Sequence, residues 1–199
     1  MADLEKTGKN LEGRGFRVHR FASGAEAADY LVQTLHGTSI GIGGSVTIDT
    51  LGVYDRLCES NEVFWHWKNH VPETRERAGK AETYLCSANG VSENGEIVNI
   101  DGFGNRVAGT IYGPERVFLV VGRNKIAPDL TGAIDRARNI AAPLNARRLN
   151  RHTPCAVGEP RCHDCRSPEK VCGVMTVFFM PPTSIKEFHV ILVDEDLGY

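Results

Sequence analysis

VFLVV, residues 117–121, sets five apolar side chains in a row with no polar position among them. A strand wetted on one side would alternate, so an unbroken run predicts a strand covered on both faces, as in the parallel sheet of an α/β protein. Downstream, Asp129 caps a predicted helix with Leu130, Ala133, Ile134, Ala137 and Ala141 on one face. Pro143 suits the first position of a second short helix through Arg148. Val174 to Met180 and Phe188 to Val193 are further apolar strands. Upstream, FRVHRF (16–21) alternates as a strand, and Ser23 to Glu26 reads as a capping box for a helix through Leu35. Thr38 to Ile42 predicts a strand that runs into Gly41, Gly43 and Gly44, then a helix to Cys58. EVFWHW (62–67) and Tyr84 to Ala88 read as strands on either side of a charged helix opened by Pro72. Ile97 to Ile100 and Arg106 to Ile111 flank DGFGN, which predicts a β-hairpin. Residues 1–15 read as an extension, part of it a loosely docked helix. The alternation of strands and helices predicts a single α/β domain over 1–199 with a mostly parallel sheet.

Composition narrows the function classes. At 41% hydrophobic and 24% charged residues, the chain has the make-up of a core-forming globule. A net charge of −2 excludes a general electrostatic binder of nucleic acid or membranes. The charge is uneven: residues 123–170 hold ten Lys/Arg against five Asp/Glu. That segment would attract phosphate, a carboxylate or an acidic partner. MADLEKTGKN is polar and no run of 18 apolar residues occurs, so neither a secretory signal nor a membrane span is expected. Six cysteines without an export pattern predict reduced thiols in the cytoplasm, with Cys58 and Cys86 as core residues.

Four stretches carry candidate chemistry. In GIGGSVT (41–47), glycines let backbone approach a ligand, and Gly43, Gly44, Ser45 and Thr47 are candidate anion binders. This is neither a P-loop nor a GxGxxG turn, and the chain has no flavin or nicotinamide fingerprint. In SANGVSENGEIVNIDGFGNRVA (87–108), turn chemistry accounts for Asn94-Gly95. The same stretch holds Asn89, Asn105 and Arg106. Asn99 and Asp101 share one face of an apolar strand, where polar groups need partners or a ligand. Lys125 follows the 117–121 strand at the carboxyl edge where open α/β sheets bind ligands. Arg138, in RARNIAAPLNARRL, offers a planar fork for carboxylate or phosphate.

Cys155, Cys162, Cys165 and Cys172 follow the spacing C-x6-C-x2-C-x6-C in a loop broken by glycine and prolines. Four thiolates so placed could hold zinc or an iron–sulfur cluster, with His163 as a substitute ligand. Reduced thiols in a turn-rich lid are the other reading.

GGSVTIDTLGVYDRL, SENGEIVNIDGFGNRVAGTIYGPERVFLVVGRNKI, RARNIAAPLNARRL and TPC…CHDCRSPEKVC together resemble the lactate-utilisation (LUD, DUF162) domain family over roughly residues 16–180. The resemblance implies a fold of the ribose-5-phosphate isomerase/CoA-transferase-like type. A ligand would lie between the Gly43–Thr47 loop and a second loop, matched in position by Asn89, Asn94, Gly95, Asn99 and Asp101, which makes Asn89 and Asn94 candidate binders as well. Asn89 stands where an aspartate is usual in that superfamily, so isomerase base chemistry does not carry over directly. The resemblance further implies participation in oxidation of L-lactate to pyruvate with redox partner subunits, Asp101 as general base beside Asn99, and a possible homodimer. Two alternatives remain at this level: an isomerase, transferase or binding protein for a phosphorylated small molecule, and a non-catalytic assembly subunit. The chain lacks the repeated CxxCxxCxxxCP segments of larger lactate-utilisation subunits.

Overall fold

A computed structural model describes residues 2–199. In chain order the helices are α1 (Leu4–Gly13), α2 (Gly24–Thr34), α3 (Val46–Leu51), α4 (Tyr54–Cys58), α5 (Thr74–Lys80), α6 (Asn105–Gly109), α7 (Leu130–Arg136), α8 (Ala142–Arg148) and α9 (Pro154–Val157). The strands are β1 (Arg17–Phe21), β2 (Ser39–Ile42), β3 (Glu62–Trp65), β4 (Thr83–Ser87), β5 (Gly90–Ser92), β6 (Ile97–Asp101), β7 (Arg116–Gly122), β8 (Ile126–Ala127), β9 (Val174–Phe178) and β10 (Glu187–Val193). Six of them form one all-parallel sheet in the order β1-β10-β7-β4-β2-β3. The other four form a small mixed sheet, β8-β5-β6-β9.

The run at 117–121 lies inside the large sheet because both of its faces are covered. Phe118 and Val120 pack with α2, α3 and α4 through Leu31, Ile48 and Leu57. Val117, Leu119 and Val121 face the other way, against Leu11 of α1 and Ile97 and Phe178 of the small sheet. The outer face of the small sheet, Val98 and Ile100, packs on Ala133 and Ala137. Ser23 caps α2 by accepting from the Glu26 N–H (3.2 Å), as the capping pattern requires, while the Glu26 carboxylate reaches past the cap to accept from the Ala22 N–H (3.0 Å).

Several expectations are corrected. DGFGN is not a hairpin turn: after Gly104, in the left-handed region at φ 95°, the chain enters α6. The Asp101 carboxylate accepts from the backbone N–H groups of Phe103, Arg106 and Val107 (3.1–3.2 Å) and so anchors that helix. β6 pairs antiparallel with β5 and β9 instead. The helix expected to reach Cys58 breaks at Gly52, φ 63°, into α3 and α4, and Cys58 is exposed; Cys86 is buried. The predicted pair of helices around Pro143 is one bent helix. Pro143 has no N–H to donate, and a π-helical segment, Ala137–Ala141, absorbs the missing bond between α7 and α8. α1 is not loosely docked: Leu11 is fully buried, Asn10 donates to the Glu93 carbonyl, and Arg14 pairs with Glu96.

Candidate functional site

The loops after β2, β4 and β7, strands that lie close together in the large sheet, meet at its carboxyl edge. There they enclose an inner hollow of about 60 Å³, lined by Gly44, Ser45, Thr47, Ser87, Asn89 and Lys125 from those loops. Ile100, Arg106, Asn145 and Arg148 complete it from the other side. It opens, past the shared residues Gly44, Trp67, Arg106 and Arg148, into an outer cleft of about 660 Å³ that includes Asp101. The glycine turn and the polar strand therefore converge on one cleft.

Close approach crowds the turn at Gly43, where a Cβ would lie 2.9 Å from Arg106 Cγ and 3.0 Å from Tyr84 Oη. One on Gly44 would meet the Trp67 ring at 3.4 Å, close to ordinary contact. Ser45 lines the hollow, but its hydroxyl caps α3 by accepting from the Ile48 N–H (3.3 Å). Thr47 donates to the Leu197 carbonyl (3.2 Å) and accepts from Lys125.

Lys125 is the buried cation of the site. It is 3% exposed, and its Nζ donates to Thr47 Oγ1 (2.9 Å), Ser87 Oγ (3.0 Å) and the Ala88 carbonyl (3.2 Å). All three acceptors are neutral. Burial, reinforced by the Arg136 and Arg106 guanidinium groups, pulls its pKa down to about 7. An arriving anion would supply the negative charge that the protein withholds.

Arg106 is the fixed cation. Its guanidinium donates to the Ser87 carbonyl (3.2 Å), Asn99 Oδ1 (2.7 Å), Asn89 Oδ1 (2.7 Å) and the Ile100 carbonyl. Asn99 is fully buried and supports Arg106 from beneath, while its Nδ2 has no partner. Thr176, directly opposite Asn99 on β9, has an orphaned Oγ1 as well. Asn89 also accepts from the Ile100 N–H (2.9 Å), which ties β6 to the end of β4. Arg148, whose guanidinium lies 4.5 Å over the Trp67 ring, supplies a third cation. No Asp or Glu side chain lines the inner hollow. In the outer cleft Arg75, Arg106, Arg148, Arg151 and Lys170 face Asp101 and Glu169.

Two expected binders lie elsewhere. Asn94 sits in the turn between β5 and β6, where Arg14 donates to its carbonyl (2.8 Å) and Gly95 takes φ 90°. Arg138 donates to Cys162 Sγ (3.3 Å) and Asp164 Oδ1 (3.1 Å). Arg106, Asn145 and Arg148 stand in stretches that the sequence singles out for chemistry but are not among the expected binders, and Trp67 is missed. The basic excess over 123–170 pointed to Arg148, whereas the aromatics of EVFWHW read as core or interface.

The four clustered cysteines line a second cavity of about 280 Å³ with Ile134, Arg138, His163 and Met175. Ile100, Ala142 and Val171 belong to the walls of both this cavity and the inner hollow. No group of three or more His, Cys, Asp or Glu side chains among the described residues is arranged to hold a metal ion. The Cys86 thiol, by contrast, is sealed in the core and pushed up to about 12 by burial, which makes it inert.

The LUD domain family model matches residues 4–193. A DUF162 family protein from Deinococcus radiodurans, solved at 1.70 Å resolution, shares the fold with a TM-score of 0.56 at 13% identity, over 96% of this chain and 95% of that one. No curated protein matches the chain. No helix among the described residues is long and apolar enough to cross a membrane. The match across nearly the whole length, on a fold shared with a DUF162 protein, makes this chain a member of the LUD domain family.

Proposed function

We propose that the cleft binds a small carboxylate anion and that the protein takes part in oxidation of L-lactate to pyruvate. One observation carries this reading: Lys125, Arg106 and Arg148 surround a hollow with no acidic side chain, at the carboxyl edge of a parallel sheet. A lactate carboxylate would sit against Lys125 and Arg106, with Thr47 and the Gly43–Ser45 turn shaping the wall. Asp101, in the outer cleft, is the candidate base for the substrate hydroxyl, and Asn99 positions Arg106. L-Lactate gives up two electrons and two protons to become pyruvate. The electrons would leave to a redox partner subunit, directly or through the cysteine loop. Membership of the LUD family supports lactate as the carboxylate.

A phosphorylated small molecule is the second reading. The five cations of the outer cleft exceed what a monocarboxylate neutralises. Calorimetric titration of the full chain with L-lactate, D-lactate, pyruvate and a sugar phosphate tests both. Saturable binding of L-lactate or pyruvate that is lost in Lys125→Met supports the first reading. Binding of the sugar phosphate alone replaces it with the second.

A further inference from the structure

We infer that the cysteine loop holds an iron–sulfur cluster and not a single zinc ion. The distinction is geometric. Tetrahedral zinc draws four sulfurs to about 2.3 Å from one point, so a zinc site closes on itself. Here Cys155, Cys162, Cys165 and Cys172 line a cavity of about 280 Å³, and among the described residues no three ligating side chains are gathered around one ion's position. Four cysteines lining one open space suit a ligand that has volume of its own. An iron–sulfur cluster bound by four cysteines is such a ligand.

The surroundings fit as well. The walls contributed by Ile100, Ile134, Ala142, Pro143 and Met175 are apolar, which limits water at the sulfurs. Four thiolates leave a bound cluster with net negative charge, and Arg138 and Lys170 line the same cavity. Cys162 Sγ accepts from Arg138 Nη2 (3.3 Å) and from the Asp164 N–H (3.4 Å), and Thr153 Oγ1 lies 3.3 Å from Cys155 Sγ. Hydrogen bonds to sulfur are a recognised control on cluster potential. The loop is also held in shape. Asp164 adopts φ 48°, which turns the CHDC segment, and Asn139 Oδ1 accepts from the Cys162 N–H (2.9 Å). Arg138 and Asn139 both come from the π-helical segment that follows α7, so the bend around Pro143 presents these two side chains to the loop.

The cluster assignment does not depend on which anion fills the cleft. The test is anaerobic reconstitution of the full chain with ferrous iron and sulfide, followed by iron, zinc and acid-labile sulfide analysis, visible absorption, and electron paramagnetic resonance after reduction. Expected are equal amounts of iron and sulfide, a broad charge-transfer band in the visible and a reduced-cluster resonance. All should be absent from Cys162→Ser/Cys165→Ser, whose circular dichroism should match the wild type, and retained by Lys125→Met. One zinc per chain without sulfide overturns the inference. So does a folded wild-type chain that takes up neither iron nor sulfide, whatever the result for lactate.

Discussion

At the scale of single residues, Lys125 decides whether the cleft is charged. Its pKa of about 7 makes it cationic below neutrality and neutral above. A carboxylate ligand of fixed charge should therefore bind more tightly at pH 6 than at pH 8. The loss should approach about tenfold per pH unit above 7, the linkage limit for one required proton. Titrations at several pH values check this, and a flat profile would remove Lys125 from the binding step. The same residue burdens the fold. Its folded pKa lies below the unfolded value near 10.5, so the native state binds fewer protons between these values and stability rises with pH across that window. Lys125→Met should accordingly raise Tm at pH 7, by about 2–4 °C for each kcal/mol of desolvation relieved, while cancelling any shift induced by lactate. Asp101→Ala should lower stability by about 1–2 kcal/mol even without substrate, because its carboxylate anchors α6. Asp101→Asn keeps an acceptor oxygen there and separates anchoring from base catalysis: near-wild-type Tm with full turnover in the reconstituted lactate-oxidising system would exclude Asp101 as the base.

At the scale of elements, close backbone packing sets what each glycine tolerates. A Cβ on Gly41 of β2 would sit 2.0 Å from the Ala78 carbonyl of α5, so Gly41→Ala should cost about 3 kcal/mol in a denaturant titration. Gly79, on α5 itself, has open space around its Cβ position, and Gly79→Ala should stabilise by about 0.5–1 kcal/mol. The same contrast shows which elements are legible from sequence. β7 and β10 announce themselves because burial on both faces demands unbroken apolar runs. α2 does so because its cap is local, three residues from Ser23 to Glu26. α6 does not: its anchor is Asp101, a strand residue, and five residues are too few to show a helical stripe. The placement of the candidate residues divides in the same way. Gly44, Ser45, Thr47, Asn89, Asp101 and Lys125 come together at the cleft because each stands at a strand end or in the turn that follows it. Asn94 and Arg138 share the residue types but belong to other surfaces, a distinction made only by the return of the chain through α1 and the π-helical bend. Arg106 acquires its role from four acceptors contributed by β4, β6 and the loop between β4 and β5, and no local pattern encodes that.

For the molecule as a whole, acid sensitivity should originate in a histidine pair outside the cleft lining. His189 stacks on Phe118 with ring centroids 4.2 Å apart, and its Nδ1 lies 2.9 Å from His19 Nε2. Tyr30 and Glu187 contact the pair, and Arg17 lies nearby. Burial holds His189 at about 4 and lowers His19 too. Both rings are thus neutral in the native state at pH values where the unfolded chain would protonate them. The stability contributed by this pair should be fully present above about 6.5 and be lost as pH falls toward 4. His189→Gln should flatten that decline in thermal melts recorded across the interval.

The sharing of Ile100, Ala142 and Val171 by both cavities has a wider consequence. A guest that restricts these side chains from one chamber restricts them for the other as well. Thermodynamic reciprocity then requires that whatever the loop's occupant does to anion affinity, the anion does in equal measure to the occupant. Any such coupling would run through the three residues that the chambers share.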